Sequence, residues 1–96
     1  MDKSFYTYII LTENNTLYCG YTDKPKERYE KHKQGLAAKY TRANRPLKMV
    51  FLKKFETKSE AMKAECQIKN LTRSQKEALI SSDENEINLL IQYWNF

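Results

Sequence analysis

The chain has 96 residues, enough for one two-layered domain and no separate regulatory one. Seventeen Lys and Arg against twelve Asp and Glu leave a net charge of +5, and 41% hydrophobic content with only two Gly and two Pro excludes a disordered or low-complexity segment. The single His and two distant cysteines, Cys19 and Cys66, exclude a zinc cluster, and no apolar run approaches the roughly 20 residues of a membrane span.

Phe5 to Thr12 is aromatic and β-branched on both faces, the pattern of a central strand. Glu13 to Thr16 is turn chemistry, and Leu17 to Thr22 is the returning strand of a hairpin. Two registers are open. If Thr12 opposes Thr16, Tyr8 falls opposite Gly20 and shares a face with Tyr18, and Gly20 leaves room for a substrate beside both rings. If Asn14-Asn15 is a two-residue turn, the two tyrosines face opposite ways. Asp23 is placed to cap a helix that takes Pro25 in its first turn and stops near Gly35. Pro25, Arg28, Tyr29 and His32 recur on it at helical spacing, so one stripe carries an aromatic ring and two cationic or titratable groups. Turned inward, that stripe calls for an anion, and phosphate is the leading candidate.

Residues 36–46 read as a basic loop with room for a helical turn. Residues 24–54 hold eleven basic side chains and two acids, a local excess of 11 − 2 = +9. Such density favours nucleic acid or an anionic membrane surface. Leu47 to Phe55 alternates as a third strand, with Leu47, Met49, Phe51 and Lys53 on one face and Lys48, Val50, Leu52 and Lys54 on the other. Thr57 or Ser59 caps a second helix. Its inward stripe of Ala61, Ala64 and Ile68 includes Glu65, and a half-buried Glu is costly unless something holds it. Either Glu65 binds a divalent cation, a hard ion that prefers oxygen, or it borders the stripe and pairs with Lys69 at i+4.

Thr72 caps a third helix with Ala78 and Leu79 inward. Ser81 and Glu84 read as a capping box before a last amphipathic helix of Ile87, Leu90, Ile91 and Trp94. Cys19 and Cys66 read as small packing residues. The expected fold is α/β (α+β): a small three-stranded, mostly antiparallel sheet flanked by helices, in the order β-β-α-β-α-α with an extra C-terminal helix. Residues 83–96 form an amphipathic extension packed on the domain of residues 1–82, as a monomer or as a weak homodimer through that helix. No secretory leader opens the sequence, so a cytoplasmic protein is expected.

In order, these residues resemble the GIY-YIG nuclease family. The similarity is greatest to its small single-domain bacterial members, related to the N-terminal nuclease module of the excision-repair protein UvrC. Tyr6-Thr7-Tyr8 stands where the family has Gly-Ile-Tyr, and Tyr18-Cys19-Gly20 where it has Tyr-Ile-Gly. Arg28 and His32 match its helix motif, and Glu65 its metal-binding glutamate. No tripeptide is specific, but the ordered set is. The resemblance implies a metal-dependent DNA endonuclease of repair or processing, with a non-catalytic nucleic-acid-binding module of the same fold as the alternative. It implies a divalent ion on Glu65, magnesium first and manganese second. Arg28 would grip the phosphate, Tyr8 or Tyr18 would relay the proton of the attacking water, and His32 would orient or deprotonate that tyrosine. Lys39, Tyr40, Arg42, Arg45 and Lys48 would contact the DNA, whether single-stranded, duplex or branched.

Overall fold

The computed structural model describes residues 3–91. Strands β1 (Phe5–Thr12), β2 (Leu17–Thr22) and β3 (Pro46–Phe55) form an antiparallel sheet in the order β2-β1-β3. The doubly apolar β1 is central, as its pattern requires. Helices α1 (Pro25–Lys33) and α2 (Lys39–Ala43) lie between β2 and β3. After β3 come α3 (Lys58–Lys69), α4 (Arg73–Ile80) and the short α5 (Ile87–Leu90). Among the described residues, no helix is long and apolar enough to cross a membrane.

The hairpin adopts the three-residue loop. The Thr12 N–H donates to Thr16 O at 3.0 Å, and Tyr8 pairs with Gly20 and Ile10 with Tyr18. Asn15 sits at φ 61, in the left-handed region that closes such loops and that Asn tolerates.

Each face of the sheet carries its own core. Tyr8, Ile10, Met49 and Leu52 pack with Tyr29 of α1, while Ile9, Cys19 and Phe51 pack with Ile68 of α3. Strict alternation along β3 fails, because Ile9 pairs with Phe51 but Ile10 pairs with Met49. Val50 is the extra residue of a bulge, which puts Met49 on the face of Leu52. A second register shift, between Leu11 and Thr12, passes over Leu47, which is 57% exposed.

Asn85 secures this bulged edge strand. Its Oδ1 accepts from Leu52 N–H at 3.1 Å and from Ile87 N–H at 3.1 Å. Its Nδ2 donates to Val50 O and Ile80 O, both at 2.8 Å. One side chain thus ties β3 to the end of α4 and the start of α5, satisfying main-chain groups that an edge strand leaves open.

Several caps differ from expectation. Lys24, not Asp23, is the N-cap of α1; its N–H donates to Thr22 Oγ1 at 3.0 Å, while Asp23 pairs with Lys3. The C-terminus of α1 is as read: Gly35 at φ 78 lets Leu36 N–H reach Lys31 O and Gly35 N–H reach His32 O. Thr57 and Thr72 each close a capping box, with Glu60 and Gln75. The Ser81–Glu84 box does not form, because Ser82 Oγ takes the Glu84 N–H instead. Ala78 is exposed, and Leu79 and Ile80 face the core in its place. Cys66 is exposed too, so only Cys19 is a packing cysteine. Ile87 and Leu90 of α5 pack on the Tyr8 core, whereas the predicted contact of Trp94 lies outside the described residues.

Candidate active site

An open cleft of about 560 Å³ lies where the hairpin meets α1 and α3. Tyr8, Tyr18 and Gly20 enter it from the hairpin, Arg28 from α1, and Glu65 and Lys69 from α3. Four of the five predicted catalytic and metal-binding residues therefore line one cavity. The register decides this, since Tyr8 and Tyr18 share a face only in the three-residue loop.

The fifth, His32, is reached through Tyr8. It is 1% exposed, and its Nε2 lies 2.7 Å from Tyr8 Oη. Its Nδ1 lies 2.7 Å from Oγ1 of the fully buried Thr41 on α2. The Thr41 hydroxyl donates to Ala38 O at 3.3 Å, so its oxygen accepts from the His32 Nδ1–H. The hydrogen-bond network thereby assigns the tautomer: Nε2 is bare and accepts the Tyr8 proton. Thr41 is a residue the sequence reading missed. A Thr between Tyr and Arg in a basic loop carries no spacing signal toward a histidine nine positions earlier.

The electrostatics fit that assignment. Burial, reinforced by the Arg28 charge, pulls His32 down to about 4, so the ring is neutral at pH 7. Burial and the neighbouring Tyr18 push the Tyr8 phenol well above its ordinary value, with Arg28 acting the other way. Burial also raises the Cys19 thiol to about 12, which makes it a poor nucleophile.

Gly20 was expected to leave room for substrate beside both rings. It borders the cleft, but Tyr8 itself fills the space above its Cα. A Cβ there would stand 2.5 Å from Tyr8 Oη and 2.6 Å from Cζ. The glycine is thus what allows Tyr8 to lie flat across β2 toward His32.

Glu65 shows both features its position suggested. Its side chain is 19% exposed and borders the cleft, and its Oε1 pairs with Lys69 Nζ at 2.9 Å. Arg28 also borders the cleft, and its side chain makes no hydrogen bond or ion pair among the described residues. No group of three His, Cys, Asp or Glu gathers among the described residues. Two carboxylates border the cleft, Asp23, which pairs with Lys3, and Glu65; a hard carboxylate in an open, polar cleft suits a hard divalent ion that keeps most of its waters.

The basic loop is divided in its use. Lys39, Tyr40 and Arg42 border a shallow depression on α2, and Lys48 is exposed on β3. Arg45 reaches back to Lys33 O at 2.7 Å and so binds the C-terminal end of α1. Tyr40 also stacks its ring on Tyr18 and donates its hydroxyl to Thr16 Oγ1.

Residues 4–78 match the family model described as the GIY-YIG catalytic domain. The chain is 46% identical over 82 residues to a UPF0213 protein of Enterococcus faecalis, covering 83% of this chain and 93% of that one. It is 43% identical over 86 residues to a UPF0213 protein of Oceanobacillus iheyensis, covering 90% and 100%. The solution NMR structure of the Enterococcus faecalis protein EF2693 aligns with a TM-score of 0.58 at 47% identity, covering 82% of this chain and 84% of that one. That of the UPF0213 protein BH0048 from Bacillus halodurans aligns with a TM-score of 0.56 at 38% identity, covering 84% and 86%.

Proposed function

The chain belongs to the GIY-YIG catalytic-domain family, and from that premise we propose that it is a metal-dependent DNA endonuclease, acting in cytoplasmic DNA repair or processing. The observation that carries this reading is the 2.7 Å contact between Tyr8 Oη and His32 Nε2 at the wall of a cleft that also holds Arg28 and Glu65.

Phosphodiester hydrolysis needs an activated water, charge relief on the phosphate and a held substrate. Tyr8 is the better base of the two tyrosines. A water attacking phosphorus gives its proton to Tyr8 Oη as the Tyr8 proton passes to His32 Nε2. The neutral His32 has a bare Nε2 to receive it, although burial and the Arg28 charge make its imidazolium costly, so the transfer is coupled to the negative charge developing on the phosphate. A phenol with so high a proton affinity does not ionise on its own at neutral pH, so the two transfers must be coupled. Arg28, which lines the cleft, grips the phosphate oxygens with planar, permanently charged donors. Glu65 is the residue that would hold the divalent ion, whose charge polarises and neutralises the phosphate. Tyr18 packs edge-on against the His32 ring and holds its orientation. Lys39, Arg42 and Lys48 supply sequence-independent contact with the DNA backbone.

One observation favours a second reading, a non-catalytic nucleic-acid-binding module: Lys69 already occupies Glu65. A single experiment separates the two. Wild type, Glu65→Gln and Arg28→Ala are incubated with labelled single-stranded, duplex and branched DNA in magnesium, manganese or EDTA. Metal-dependent cutting lost in both variants supports the nuclease. DNA binding that is equal in wild type and Glu65→Gln, with no cutting on any substrate, establishes the binding module.

A further inference from the structure

A second cavity, of about 300 Å³, adjoins the cleft along β2. Leu17, Tyr18, Cys19 and Tyr40 line it together with Lys69 and Lys76. Tyr18 and Lys69 border both cavities, so the two are one side chain apart. The rings of Tyr18 and Tyr40 are stacked, with centroids 5.9 Å apart and planes 17° from parallel. Tyr40 is 39% exposed, so its ring is open to an incoming partner. Lys76 makes no ion pair among the described residues, and no carboxylate lines this cavity.

We propose that this cavity receives an unpaired nucleobase next to the scissile phosphate, stacked on the Tyr18–Tyr40 pair. The substrate is then DNA that is single-stranded at that nucleotide. The inference rests on the nuclease reading and adds the substrate class. A base inside a duplex has both faces covered by its neighbours and offers only its edges, whereas an unpaired base offers a π-face to an aromatic platform. The cavity is open and has room for a base beside the tyrosine rings. Lys76 meets a flanking phosphate, while Lys69 stays paired with Glu65. Stacking on tyrosine is indifferent to base identity, so the expected preference is for strand state and not for sequence.

The experiment uses the whole protein in EDTA, so that binding is read without cutting. Three probes carry one 2-aminopurine: a single strand, the same strand in a full duplex, and a duplex with that base unpaired. The result expected is quenching of the probe in the single strand and the unpaired site, but not in the full duplex. Tyr40→Leu abolishes the quenching and weakens single-strand binding roughly tenfold. Tyr40→Phe keeps the ring, loses only the Thr16 hydrogen bond, and retains both signals. The proposal is overturned if bound single strand is not quenched, if single strand and duplex bind equally, or if Tyr40→Phe behaves as Tyr40→Leu at equal Tm. Quenching without metal-dependent cutting on any DNA would instead overturn the nuclease reading and leave the base site standing. Cutting of full duplex without quenching would do the reverse.

Discussion

Tyr8 and His32, 24 residues apart in the chain, meet at 2.7 Å from Oη to Nε2, and both side chains are almost wholly shut off from solvent. The contact joins the central strand of the sheet to α1. A buried polar pair of this kind must be satisfied on its far side too, and Thr41 does so at the other ring nitrogen.

The first consequence is a pH-dependent stability. His32 titrates near 4 in the folded chain and near its ordinary value of 6.5 when unfolded. Between these the unfolded chain binds the extra proton, so stability rises with pH through this window. Its contribution is complete above about pH 6.5 and is lost as pH falls toward 4, amounting to roughly 3 kcal/mol. Urea titrations at pH 7.0, 5.5 and 4.5 measure the slope, with His32→Gln as the comparison. An equal slope in that variant would assign the acid sensitivity to other groups.

Thr41→Val keeps the shape and removes the acceptor for the His32 Nδ1–H. An unsatisfied buried donor costs about 1–3 kcal/mol. Without that bond the ring is free to shift its proton to Nε2, where it can no longer accept from Tyr8. Single-turnover cleavage is expected to fall by at least tenfold, with Thr41→Ser restoring most of it. Equal rates for the Val and Ser variants would remove Thr41 from the relay.

Gly20→Ala places a Cβ 2.5 Å from Tyr8 Oη. The ring is packed in the core and has little room to retreat, so overpacking costs about 1–3 kcal/mol. The phenol is displaced from His32 and cleavage is lost, while circular dichroism still reports a folded α+β chain. Cleavage at the wild-type rate would show that the Tyr8–His32 contact is not needed.

Asn85→Ala leaves two main-chain donors and two carbonyls without their partner at once. The expected loss is about 2–4 kcal/mol, which for a chain of this size lowers Tm by well over 10 °C. Asn85→Asp keeps the acceptor and loses both donors, so it falls between wild type and the alanine variant. Thermal unfolding followed by circular dichroism tests the order. A Tm for Asn85→Ala within 2 °C of wild type would mean that water replaces the clamp.

Much of the local structure was legible because its causes are local. The Thr57 and Thr72 caps, the Gly35 terminus and the Pro25–Arg28–Tyr29–His32 stripe each depend on residues within a turn or two of one another. So does the Glu65–Lys69 pair. The α1 N-cap misled because Thr22 and Asp23 are both capping residues, and the ion pair with Lys3 claims Asp23.

The sequence by itself determined the central strand, the inward stripe of α1 and the ordered set Tyr8, Tyr18, Arg28, His32 and Glu65. The strand and the stripe follow from side-chain type and period, which a linear chain displays; the set of five is what the resemblance to the GIY-YIG family implied. Only the tertiary structure decided the hairpin register, the bulge at Val50, the Thr41 partner of His32 and the Asn85 clamp. Asn14-Asn15 permits either loop, and only packing of Tyr8 over Gly20 and against α1 selects the one observed. Thr41 and Asn85 act through hydrogen bonds to groups distant in the chain, and such bonds obey no sequence period. They exist because burial leaves those groups no other partner.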